Sequence, residues 1–169
     1  MENEIINRVA TSPLRTFDLE ELHTPGDRVL LDIQDQLYQG LVLREEPFRL
    51  WIKMHDWAQY QQKFVAITCS ADAIVPTWAY MLVAIALQPF AARIVFGSLT
   101  DLEHQLFVDK LNQVDFAQFQ QAKVVIKGCS KVKVPVSVYI EATNRLRPVV
   151  ASLMFGEPCS TVPLFKARK

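Results

Sequence analysis

Glycine is scarce in this chain, at five of 169 residues, and none stands in a G-x-G-x-x-G or Walker arrangement. A phosphate-cradling loop needs glycine where backbone meets ligand, so nucleotide chemistry is argued against. Net charge is missing too: 18 Lys+Arg balance 18 Asp+Glu. Without a basic stripe there is little to neutralise a phosphate backbone, which argues against nucleic-acid binding. The opening residues Met1-Glu2-Asn3-Glu4-Ile5-Ile6 are acidic and carry no apolar leader, so no secretory signal is expected. Cysteine is limited to three residues. An odd count without a leader argues for reduced thiols in a cytoplasmic protein, not a disulfide framework.

What is present is an ordinary globular balance, half hydrophobic and 21% charged. The length fits one domain, 1–169, able to bury roughly two-thirds of its unfolded surface. The longest uncharged stretch spans residues 73–92. Pro76 and Pro89 shorten its apolar centre to well under the ~20 residues of a membrane span. It is expected to be a buried helix or a subunit contact.

The sequence repeats itself. Residues 63–97 align with 123–156 through a single one-residue gap, with Cys69/Cys129, Ser70/Ser130, Pro76/Pro135, Tyr80/Tyr139, Leu87/Leu146, Pro89/Pro148 and Gly97/Gly156 among the identities. Each copy reads as strand, loop, helix, strand. Phe64-Val65-Ala66-Ile67-Thr68 and Val124-Val125-Ile126-Lys127 suit buried parallel strands. Pro76 and Pro135 suit the first helical turn, and Pro89 and Pro148 mark the helix ends. The first helix is apolar all round, which predicts burial on every face. The second carries Glu141, Asn144, Arg145 and Arg147 and can face water.

Further strands are expected at 29–33 and 40–43, and helices at 45–54, 101–111 and 116–121. The basic tail 164–169 is expected to fray. Strands alternating with helices predict an α/β fold: a mainly parallel sheet flanked by helices, with an internal βαβ duplication.

Every cysteine is followed by serine, and soon by Val-Pro: Cys69-Ser70, Cys129-Ser130 and Cys159-Ser160. Each follows a predicted strand, so on one parallel sheet all three thiols would meet at the carboxyl edge, where open sheets bind ligands. Three converging thiolates predict a zinc site or an iron–sulfur cluster. Ser70, Ser130 and Ser160 would hydrogen-bond the sulfurs, and His55, Asp72 or Glu157 would fill a fourth position. The plainer reading is that free cysteine packs as a small hydrophobe, that His55 and Asp72 are caps, and that His23 and His104 lie on the surface. Two alternatives stay open: a cysteine-dependent enzyme or sulfur carrier, with His55 as base and Asp56 orienting it, and a dimeric interaction module without a site.

The stretches His55-Asp56-Trp57, Cys69-Ser70-Ala71-Asp72-Ala73-Ile74-Val75-Pro76-Thr77-Trp78-Ala79-Tyr80-Met81 and Gly156-Glu157-Pro158-Cys159-Ser160-Thr161-Val162-Pro163 resemble an uncharacterised bacterial family, the domain of unknown function 2480. The resemblance covers essentially the whole chain and brings no activity with it. Genes of that family, mostly from Bacteroidetes, often neighbour those of the SUF iron–sulfur assembly machinery. It therefore implies an accessory to cluster assembly, with iron–sulfur assembly proteins as partners.

Overall fold

The computed structural model describes residues 14–128 and 131–168. In chain order its elements are β1 (Leu14–Asp18), β2 (Arg28–Asp32), β3 (Leu37–Tyr38), β4 (Val42–Leu43), α1 (Glu45–Met54), β5 (Phe64–Thr68), α2 (Thr77–Leu87), β6 (Arg93–Phe96), α3 (Leu99–Leu111), β7 (Lys123–Lys127), α4 (Val136–Leu146), β8 (Ser152–Glu157) and β9 (Ser160–Lys166). This is the mixed α/β class with parallel strands that the alternation of apolar runs predicts. The parallel strands lie in two sheets, with orders β2-β5-β6 and β1-β7-β8-β9.

These sheets belong to two compact units: Thr24–Gln105, and the chain that precedes and follows it. The first unit is thus inserted between β1 and the rest of the second. In Thr24–Gln105, β5 lies between β2 and β6, parallel to both. Buried Val65 and Ile67 of β5 meet Phe48 of α1 and Ala79, Val83 and Leu87 of α2 in one core. In the other unit, β7 lies between β1 and β8, again parallel to both. Val124 and Ile126 pack there with Val138, Ala142 and Leu146 of α4. The 4-residue spacing of each helical triad is the single stripe a helix turns to a sheet. As far as Lys166 the basic tail does not fray: β9 returns antiparallel along β8.

Elements recur at a uniform 59 residues. Asp56 Oδ1 accepts from Ala58 N at 3.1 Å and Asp115 Oδ1 from Ala117 N at 3.0 Å, each capping a 3-10 turn. Gln62 and Gln121 follow with φ of 58° and 57°. Their N–H groups bond Phe90 O and Val149 O at 2.9 and 2.8 Å. The strands, the helices and the positive-φ pair Gly97 and Gly156 keep the same spacing. No gap is needed, and the residue matching Cys69 is Gly128, not Cys129. Identical Cys-Ser pairs pull a sequence alignment one place off, whereas strand pairing sets register by which side chains enter the core.

Burial of α2 differs from expectation. Only Ala79, Val83 and Leu87 are buried, while Met81 is 60% and Ile85 67% exposed. One sheet covers one stripe of a helix, and an apolar sequence on the other side does not by itself supply a cover.

Candidate functional site

The carboxyl ends of β2 and β5 bring together the polar residues of the Thr24–Gln105 unit. Asp32 ends β2 and pairs in register with Thr68, so its carboxylate lies beside the loop leaving β5. Its Oδ1 accepts from Ser70 N at 3.1 Å and from Gln34 N at 3.0 Å. Burial pushes the Asp32 carboxyl up, but bonds from the Ser70 side chain and from the Gln34 and Ser70 backbones outweigh it and hold it below the usual value. Tyr80, on the first turns of α2, is held above the ordinary phenol value by burial, then by the nearby charges of Cys69 and Asp32. Carboxylate, thiol and neutral phenol thus share one end of the sheet. Cys69 is half-buried, with its Sγ 4.0 Å from Ala71 O.

An apolar groove of about 460 Å³ adjoins this end, lined by Ile67, Tyr80, Met81, Ala84, Ile94 and Phe96 among others. Tyr80 stands edge-on to Phe96 at 5.0 Å, the arrangement that aromatic quadrupoles favour. Phe96 is 67% exposed. The groove is therefore almost wholly apolar, and Tyr80 is the residue it shares with the Asp32 and Cys69 end of the sheet.

Among the described residues the expected metal site does not form. Cys69 follows β5 of the three-stranded sheet, whereas Cys159 sits exposed in the turn between β8 and β9 of the four-stranded one. Two sheets have two carboxyl edges, so the premise that the thiols share one edge is lost. Cys129 and Ser130 lie outside the described residues. No group of three or more His, Cys, Asp or Glu side chains that could hold a metal ion occurs among the described residues. That overturns the reading of this chain as a zinc or iron–sulfur protein.

Ser70 serves Asp32, not a sulfur. Ser160 is exposed and pairs with Glu157 at the start of β9. Asp72 is exposed and does not cap α2, whose N-cap is Pro76 without a side-chain bond. His55 caps the end of α1, with N–H to Trp51 O at 2.9 Å. Its ring lies 4.5 Å from that of Trp57 and its Nε2 3.2 Å from Tyr60 Oη. Asp56 caps the following turn and does not orient that ring. Asp32 and Tyr80 were not singled out from sequence; the signal for Asp32 was an Asp closing an apolar strand.

The fold and site define an α/β protein with two parallel-stranded units and one unusually apolar helix face. The chain belongs to the family described as protein of unknown function (DUF2480), whose model matches residues 3–167. No curated protein and no solved structure matches it. Among the described residues no helix is long and apolar enough to cross a membrane.

Proposed function

We propose that this protein is an interaction module that docks a second copy of itself on the outward face of α2. The observation that carries this reading is the contrast between matching helices. α4 turns Glu141, Asn144 and Arg145 away from its buried stripe, and Glu141 and Arg145 pair at 3.7 Å. α2 has Leu82, Ile85 and Ala86 at the same three positions. Of these Ile85 is exposed, while Leu82 and Ala86 are half-buried against the unit's own core. Apolar surface left in water costs about 25 cal/mol per Å², so exposed Ile85, with exposed Met81 and Phe96, marks a contact surface.

A second copy fits because residues 73–92 contain no charge. Across a two-fold axis a patch faces its own image, so any charge near the axis would meet its like. The recurrence at 59 residues supports an internal duplication in which one copy of the helix kept a solvated face and the other became adhesive.

The test is sedimentation velocity across micromolar concentrations. The unsubstituted protein should dimerise, and a Met81→Lys, Ile85→Lys double variant should be monomeric at the same concentrations. Ile140→Lys, at the α4 position matching Met81, should leave the dimer intact. A monomeric unsubstituted protein would overturn the reading, as would a dimer indifferent to the double variant.

A further inference from the structure

We infer that two copies join edge to edge along β6, antiparallel and centred on Val95, so that two three-stranded sheets continue as one. This rests on the self-association reading and specifies its geometry.

The two units treat the same edge differently. In the unit outside Thr24–Gln105, β8 is covered by β9, with Leu153 opposite Phe165 and Phe155 opposite Val162. The matching strand β6 is the last in its sheet among the described residues. Gly97 N–H bonds Ile67 O at 2.9 Å, so the odd-numbered residues of β6 turn toward β5. Ile94 and Phe96 therefore present their backbone N–H and C=O groups to the open edge. They match Leu153 and Phe155, the residues that face β9. An antiparallel strand is thus the neighbour this edge accepts.

The β6 edge carries Ile94, Val95 and Phe96 in succession, with no proline, lysine or bulge to discourage pairing. With the two-fold at Val95, Ile94 of one copy lies opposite Phe96 of the other and exchanges backbone bonds with it. Val95 meets Val95 as a non-hydrogen-bonded pair. Arg93 lies opposite Gly97, so no like charges are set against each other.

Four residues make a short ladder, about four bonds in all. The same axis sets two α2 faces beside one another. Phe96 packs against Tyr80 of α2, and Ile94 packs against the core that α2 covers, so both lie on the α2 side of the sheet. Apolar burial there supplies what the short ladder lacks.

A Val95→Cys variant tests this directly. A non-hydrogen-bonded antiparallel pair brings Cα atoms to about 4.5 Å, within disulfide reach. Mild oxidation should yield a covalent dimer whose linked peptides join at position 95, with the unsubstituted chain as control for its own thiols. Should that variant fail to fold, hydrogen exchange on the unsubstituted protein decides. The amides of Ile94 and Phe96 should exchange at least about tenfold more slowly at dimer concentrations than when diluted to monomer. A dimer that neither links at position 95 nor protects those amides overturns edge pairing while leaving α2 docking intact. A monomer at every concentration overturns both.

Discussion

Ser70 donates its N–H to Asp32 Oδ1 at 3.1 Å, closing a gap of 38 residues between the ends of two neighbouring parallel strands. The same oxygen accepts from Gln34 N, so one carboxylate holds both loops leaving the carboxyl edge of the sheet. The residue matched to it by strand register in the other unit is Asp18, whose Oδ1 accepts from Glu20 N at 3.0 Å. Both units use an aspartate to end a strand and begin a 3-10 turn, because a carboxylate can satisfy the N–H groups that the turn leaves without acceptors.

Asp32→Ala is expected to cost about 1–2 kcal/mol of stability at neutral pH. The folded carboxyl titrates below its ordinary value of 3.8. Its stabilisation is therefore fully present above that value and lost as pH falls through the folded one. Urea unfolding at pH 7 and about pH 3 should show the gap between the two proteins narrowing in acid. A gap unchanged with pH would mean the carboxylate charge plays no part.

Gly97 has φ of 128°, and a Cβ built there would stand 2.5 Å from Asp101 Oδ2. That carboxylate accepts from both Ser98 N and Ser98 Oγ at 2.7 Å, a reciprocal cap on α3. Gly97→Ala should cost about 2–3 kcal/mol through backbone strain and displacement of the cap. Gly40, at φ of 70° with nothing within 4 Å, should lose only about 1 kcal/mol as alanine. Thermal melts of the two variants check the order.

Leu87 and Leu146 are each fully buried, in cores that share no residue. Each change to alanine should cost about 2–4 kcal/mol. With no shared partners the double variant should lose the sum, to within about 0.5 kcal/mol. Chemical denaturation gives the three numbers, and a large coupling would mean that the cores stabilise one another.

Cys159 is exposed and Cys69 half-buried. Brief alkylation of the native protein, read by peptide mass spectrometry, should modify Cys159 first and Cys69 more slowly. Reversed order would place the more accessible thiol at the end of β5.

Much of the fold is legible in the chain. Prolines at 76, 89, 135 and 148 bound two helices because proline cannot donate within a helix and restricts the residue before it. The β-branched runs 64–68 and 124–127 declare buried parallel strands. The 59-residue recurrence of elements was partly legible too, and it reaches further toward the N-terminus than the aligned stretches 63–97 and 123–156. Asp56-Trp57-Ala58-Gln59-Tyr60-Gln61-Gln62 matches Asp115-Phe116-Ala117-Gln118-Phe119-Gln120-Gln121, and this stretch makes the capped turn that feeds each central strand. An alignment anchored on Cys-Ser pairs begins too late to include it.

The candidate site was less legible. Local identity of three Cys-Ser loops reports a shared sequence context, and chemistry at a point requires a shared place in space. The helix α2 misled in the opposite sense: uniform apolarity predicts burial, but the sheet and α1 together leave Met81 and Ile85 exposed.

What the sequence by itself determined is the set of elements and their spacing, because helix ends, turns and the choice between strand and helix follow from neighbours within a few residues. Which elements share a sheet was decided only by tertiary structure. Pairing β1 with β7 across the whole inserted unit depends on contacts far apart in the chain, and no local pattern encodes them. That pairing splits the sheet in two, sets Cys69 and Cys159 on different sheets, and, among the described residues, leaves β6 at a sheet edge where β8 is covered.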